Sequence, residues 1–136
     1  EISDKNFIFN FDQYLNSKKI TKSIEIVYGL RNFIGNANKF SKKTVQINLK
    51  SDKEITEVKI VDDGNGYPRD VLSKIGEPYL RSNDPIEKSK IGLGLGLFIG
   101  KTLLEKNFAL IDCKNSKITG GAEVIIKWKN KDLFNI

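Results

Sequence analysis

A chain of 136 residues, 39% hydrophobic and 29% charged, is long enough for one domain with its own core and too apolar for a disordered tail. It has no histidine and one cysteine, which excludes a histidine-ligated metal, a Ser-His-Asp triad, an internal disulfide and phosphohistidine within the chain itself. The formal charge of +6 suits nucleic acid, acidic surfaces or nucleotide phosphates, but the lysines are scattered and no basic aromatic stripe accompanies them; a solvated surface without direct nucleic-acid contact is expected.

No apolar run approaches the roughly 20 residues that span a bilayer, and the start does not resemble a signal peptide. The absence of methionine makes a fragment or processed piece the expectation. No repeat or linker divides residues 1–136, so a single domain is expected.

Phe7-Ile8-Phe9-Asn10-Phe11 alternates as an edge strand would. After a polar connection, residues 23–40 form the longest helix candidate. Leu30, Phe33, Ile34 and Ala37 make its buried face, and Asn32, Asn36 and Lys39 lie one turn apart on the other side. Asparagine is a mediocre helix former, and an ordinary solvent face would use Glu and Lys. Stacked amide oxygens suit a Mg²⁺ held mainly by phosphates, with Lys39 placed for phosphate contact.

Residues 45–50 and 57–62 read as a hairpin of two strands. The second runs into Asp62-Asp63-Gly64-Asn65-Gly66-Tyr67-Pro68, either an ordinary Asp/Gly turn or a strand-end carboxylate that accepts a hydrogen bond from an adenine amino group. A short helix over 69–75 follows. Residues 82–90 are polar and aperiodic, as in a lid or a disordered loop.

The stretch Lys90-Ile91-Gly92-Leu93-Gly94-Leu95-Gly96-Leu97-Phe98-Ile99 reads as a glycine-rich loop feeding a helix, a junction suited to phosphate. The dinucleotide fingerprint fails on glycine spacing, and the P-loop fails because Leu95 stands where its first glycine belongs. A G-x-G-L-G-L box remains, beside a helix start that uses glycine only for packing. Residues 108–114 and 122–129 complete the strands around a Gly120-Gly121 turn; buried packing is expected for Cys113, and the order of the tail 130–136 stays open.

Four segments, in order and spacing, resemble the catalytic domain of bacterial sensor histidine kinases, members of the GHKL superfamily. Residues 30–40 resemble the N box, Asp62-Asp63-Gly64-Asn65-Gly66 the D-x-G-x-G box, Glu77-Pro78-Tyr79 the F box and Gly92 to Leu97 the G-x-G-L-G-L box. The wording Gly76-Glu77-Pro78-Tyr79 and Gly94-Leu95-Gly96-Leu97-Phe98-Ile99 is similar to the RegB/PrrB redox-responsive kind. The resemblance implies the Bergerat α/β (α+β) two-layer sandwich, a mixed, mainly antiparallel sheet with helices on one face. It implies ATP and Mg²⁺ as cofactors, Asn36 and Asn32 at the metal, Lys39 at phosphate, Phe40 lining the pocket, and Asp62 on adenine. Gly64 and Gly66 would shape that wall, and Gly92, Gly94, Leu95, Gly96 and Leu97 would form the phosphate cradle. Tyr67 and Ala122 depart from the usual aliphatic and hydroxyl residues.

Its implied partners are the histidine-bearing dimerisation helices of the same kinase and a response regulator receiver domain. The full-length protein would be a membrane-anchored homodimer with this domain in the cytoplasm, the fragment a monomer. Hydrolases of the gyrase, Hsp90 and MutL kind carry a glutamate where Asn32 stands, and an amide cannot take a proton from water. The residues therefore favour phosphoryl transfer. A serine kinase of the anti-sigma type and a degenerate nucleotide-binding module are the alternatives.

Overall fold

A computed structural model describes residues 5–11, 24–73, 75 and 93–133. Its elements are β1 (Asn6–Phe11), α1 (Ile24–Phe40), β2 (Thr44–Ser51), β3 (Ile55–Asp62), α2 (Arg69–Leu72), α3 (Leu93–Lys106), β4 (Leu110–Asn115), β5 (Ala122–Lys129) and α4 (Asn130–Leu133). One five-stranded sheet runs in the order β1-β2-β3-β5-β4. β1 is parallel to β2 and every other pair is antiparallel. This is the mixed, mainly antiparallel sheet under helices that the sequence led us to expect, with β1 at one edge.

Alternation along the strands separates two faces. Val45 and Ile47 of β2, Val58 and Ile60 of β3, and Val124, Ile126 and Trp128 of β5 are buried under Phe33 and Ala37 of α1 and Leu97 and Leu104 of α3. The opposite face is polar, and its charges meet their cross-strand neighbours: Glu57 with Lys127 at 3.8 Å and Glu123 with Lys114 at 3.4 Å.

Helices α1 and α3 lie antiparallel at close range. Glu25 at the start of α1 meets Lys106 at the end of α3 at 2.8 Å, while Asn36 near the end of α1 faces Gly96 near the start of α3. Glycines permit the approach. A Cβ on Gly29 would stand 2.6 Å from Leu104 Cγ, and one on Gly100 would stand 2.9 Å from the Phe33 ring. The side of α1 bearing Asn32 and Asn36 therefore faces α3, in keeping with a side made of amides and not of the Glu and Lys of an ordinary solvent face. The glycine run also differs from expectation: α3 begins at Leu93, so Gly94 and Gly96 lie in its first turn instead of in a loop. Gly92, the F-box residues and the lid candidate 82–90 fall outside the described residues.

The ends of these helices are individually fastened. Lys5 Nζ donates to the carbonyls of Asn38 (2.9 Å) and Ser41 (2.6 Å), a cation where the dipole of α1 ends. α3 ends in a Schellman motif, with Ala109 N bonded to Leu104 O and Phe108 N to Glu105 O. Phe108 takes the left-handed position there, φ 71°, where glycine is usual. The turn after α1 is gripped by Asp63, whose carboxylate accepts from the N–H groups of Lys42 (2.8 Å), Lys43 (3.0 Å) and Thr44 (3.2 Å).

The tail left open by the sequence is docked as far as Leu133. Asn130 Oδ1 accepts from Thr56 Oγ1 and Asn130 Nδ2 donates to Asp52 O, both at 2.7 Å, so a buried amide ties α4 to the β2–β3 turn. Leu133 is buried beneath it.

Gly29→Val is expected to lower stability, because overpacking of about 1–3 kcal/mol against Leu104 outweighs any gain in helix propensity. Gly35→Ala meets nothing within 4 Å and should raise stability by roughly 0.5–1 kcal/mol. Denaturant unfolding of the pair checks this, and a Gly29→Val protein as stable as wild type would contradict the packing described. Burial works against ionisation of Asp63, but the N–H groups of Lys43, Thr44 and Lys42 prevail and hold its carboxyl below the usual 3.8. A depressed folded-state value gives stability that is present above the unfolded pKa and lost as pH falls through the folded one. Asp63→Asn should thus be less stable than wild type near neutrality, with the gap narrowing below about pH 4.

Candidate functional site

A pocket open to solvent on one side lies between α1 and the sheet. Phe33, Asn36, Ala37 and Phe40 of α1 form one wall. Ile60 and Asp62 of β3 and Ala122 and Val124 of β5 form the floor, and residues 65–68 form the far wall. Its lining combines apolar side chains with a few polar groups, as small-molecule sites do.

Asp62 is the last residue of β3 and is only 3% exposed. Its Oδ1 accepts from Gly64 N at 2.9 Å and from Ala122 N at 3.1 Å. No described residue donates to Oδ2. Burial raises the carboxyl above its usual 3.8, while the two N–H donors pull the other way. The backbone of Asp62 is fixed as well, since Thr119 Oγ1 donates to its carbonyl at 2.7 Å.

Glycine is required around this carboxylate for room. A Cβ on Gly64 would overlap the Phe40 carbonyl oxygen, and one on Gly121 would overlap Asp62 itself. Gly66 has φ +78°, and a Cβ there would sit 2.7 Å from Gly120 O.

Asn36 also lines the pocket, and its buried Nδ2, beside Gly96, has no partner among the described residues. A buried amide nitrogen with no acceptor is costly unless something else completes it. Lys39 is exposed, with its ammonium 5.2 Å from the Phe40 ring centre. Among the described residues no group of three or more His, Cys, Asp and Glu is placed to hold a metal ion, so a cation beside Asn36 would draw most of its oxygens from a ligand.

The sequence candidates therefore divide. Asn36, Phe40, Asp62 and Gly66 line one pocket, with Gly64 immediately behind Asp62. Asn32 does not line it; its amide donates to Tyr28 O at 2.8 Å, one turn back on α1. Leu97 is 1% exposed and serves the core. Gly94, Leu95 and Gly96 supply first-turn backbone of α3. Sequence reasoning missed Asn115, Thr119 and Gly121 of the β4–β5 turn, which hold the floor and far wall. Gly120-Gly121 was the only signal for that turn, and what it packs against follows from strand order alone. Cys113 lies half-buried on β4, its thiol pushed up to about 12 by burial and by Asp112, in keeping with the packing role expected of it.

The family model for histidine kinase-, DNA gyrase B- and HSP90-like ATPases matches residues 21–132. The sensor histidine kinase RegB of Cereibacter sphaeroides is 39% identical over 102 residues, covering 71% of this chain and 22% of that protein. The sensor protein KdpD of Clostridium acetobutylicum is 36% identical over 93 residues, covering 67% of this chain and 10% of its own. The chain thus spans about a fifth or less of the length of these relatives. Among solved structures, the catalytic domain of histidine kinase ThkA superposes with a TM-score of 0.73 at 20% identity, covering 93% of this chain and 80% of that one. The mycobacterial sensor histidine kinase MprB gives 0.71 at 22% identity, covering 93% and 84%. The chain belongs to the family of histidine kinase-, DNA gyrase B- and HSP90-like ATPases, as an ATP-binding domain of the sensor histidine kinase kind.

Proposed function

We propose that this domain binds MgATP in the pocket and transfers the γ-phosphoryl group to a histidine carried on a separate dimerisation segment. The observation that carries the reading is the Asp62 carboxylate, held by two backbone N–H groups in a mainly apolar pocket with Oδ2 left for a ligand. An adenine amino group is a donor of the right kind, and a charge-assisted bond in a desolvated site is stronger than a neutral one. Gly64 and Gly66 shape the wall on which the base rests, and Phe40 flanks it.

The residues present also fit the phosphate end. The Asn36 amide, whose buried Nδ2 has no partner among the described residues, could offer an oxygen to Mg²⁺ or a donor to phosphate. The first turn of α3, with Gly94 and Gly96, presents backbone N–H groups and the positive end of a helix dipole, next to the Gly92 side of the glycine box. Leu97, buried in the core, anchors that turn, Leu95 adds its backbone to it, and Lys39 adds a cation near the mouth. Mg²⁺, when bound, would neutralise phosphate charge.

Asn32 enters as what it is not, a carboxylate able to take a proton from water. Phosphoryl transfer to a positioned acceptor relies mainly on placement and charge, so a missing base matters less there than in hydrolysis. A fragment about a fifth the length of its relatives is read here as one domain, 1–136, of a longer homodimeric kinase. That protein would be membrane-anchored, work on the cytoplasmic side and pass phosphate to a response regulator receiver domain. No described helix is long and apolar enough to cross a membrane.

With labelled ATP, the chain alone should show no self-labelling, since it contains no histidine, and only slow turnover. Adding a separate histidine-bearing helical hairpin from the same kinase should yield label that is acid-labile and alkali-stable. Acid-stable label on serine points to an anti-sigma type of kinase, and fast turnover without acceptor to a hydrolase; either result contradicts the proposal. Asn36→Ala should weaken MgATP binding by about tenfold, on the order of 1.4 kcal/mol, and metal-free ATP much less. Equal loss for both would remove Asn36 from the metal.

A further inference from the structure

The β4–β5 turn does more than close a hairpin. Asn115, the last residue of β4, points its side-chain amide at the backbone of Tyr67 in the far wall of the pocket. Oδ1 accepts from Tyr67 N at 2.7 Å, and Nδ2 donates to Tyr67 O at 2.9 Å. One side chain thus reproduces the paired bonds that a neighbouring strand would make. Tyr67 needs them, because residues 63–68 belong to no helix or strand. Among the described residues nothing else bonds to the Tyr67 backbone.

The same turn abuts Gly66. A Cβ on Gly66 would lie 2.9 Å from Asn115 Oδ1 and 2.7 Å from Gly120 O. Tyr67, partly buried against the core, lines the pocket together with Gly66 and Pro68. The position of this wall relative to Asp62 is therefore set from β4, a strand that otherwise contributes nothing to the pocket lining.

We propose that Asn115 is a positioning residue for the base end of the nucleotide pocket, clamping the Tyr67 backbone so that Gly66, Tyr67 and Pro68 hold a fixed wall opposite the Asp62 carboxylate. The inference rests on the adenine-nucleotide reading. Asparagine is specified by chemistry. The clamp needs one acceptor and one donor side by side, and an amide supplies both. Aspartate has the same shape but turns a second acceptor toward the Tyr67 carbonyl. Asn115 is solvent-exposed at a strand end, so its loss should leave the core intact.

The test measures adenosine and ADP binding by calorimetry, with amide hydrogen exchange at Tyr67, in wild type, Asn115→Asp and Asn115→Ser. Asn115→Asp should bind both ligands about tenfold more weakly, with their affinity ratio unchanged, because the wall meets the part they share. Tyr67 N–H should exchange faster while β5 amides stay protected. Asn115→Ser, which keeps one hydrogen bond, should fall between and guards against a variant that does not fold. Wild-type affinity in both variants overturns the positioning role, as does unchanged Tyr67 exchange. Loss confined to ADP places the effect at the phosphate end and overturns it too. If wild type binds neither ligand, the nucleotide reading fails and this role with it, while Tyr67 exchange still reports whether the clamp exists.

Discussion

The carboxylate of Asp62 has one oxygen committed and, among the described residues, one open. Its Oδ1 is shared between Gly64 N, just beyond the end of β3, and Ala122 N, at the start of β5. That pair of bonds ties the central strand β3 to its neighbour β5 at the rim of the sheet. It also explains the local glycines, since Gly64 makes room for the Phe40 carbonyl and Gly121 for Asp62 itself. An isolated buried carboxylate would be costly, and two N–H donors make this one tolerable without exhausting it. The wall, the turn and the end of α1 are arranged around that remaining capacity.

A second constraint governs the other end of the pocket. Close approach of α1 and α3 brings Gly96 of the box beside Asn36, and Gly100, one turn further on, beside Phe33 and Asn32. α1 presents the Asn36 amide to the pocket, with the first turn of α3 next to it, and the sheet presents the Asp62 carboxylate. An elongated ligand with a hydrogen-bond donor at one end and negative charge at the other matches both. This polarity is what a nucleoside triphosphate has.

Much of this was legible in the chain. Period-two alternation located β2, β3 and β5, and the stripe Leu30, Phe33, Ile34, Ala37 located α1. Asp62, Gly64 and Gly66 stood out only because their box follows in order and spacing with three others; alone, the stretch also read as an ordinary Asp/Gly turn. What escaped was long-range. Whether the asparagine side of α1 met water or another helix depended on Gly29 and Gly100, whose purpose shows only when Leu104 and Phe33 stand opposite. Asn115 looked like any polar residue near a turn, and its partner is 48 residues away in sequence. The docking of the tail through Asn130 likewise depends on Thr56, far back in β3. Local pattern reveals elements; it does not reveal which side chains bridge them.

The central claim is that the open oxygen of Asp62 reads the amino group of adenine. The direct measurement is the affinity of the wild-type domain and of Asp62→Asn for ATP and for inosine triphosphate, which carries a carbonyl oxygen where adenine has the amino group. The account predicts that wild type prefers ATP by at least about tenfold, and that Asp62→Asn loses most of this preference because an amide can donate as well as accept. Equal binding of the two nucleotides by wild type, or an undiminished preference in Asp62→Asn, would contradict it.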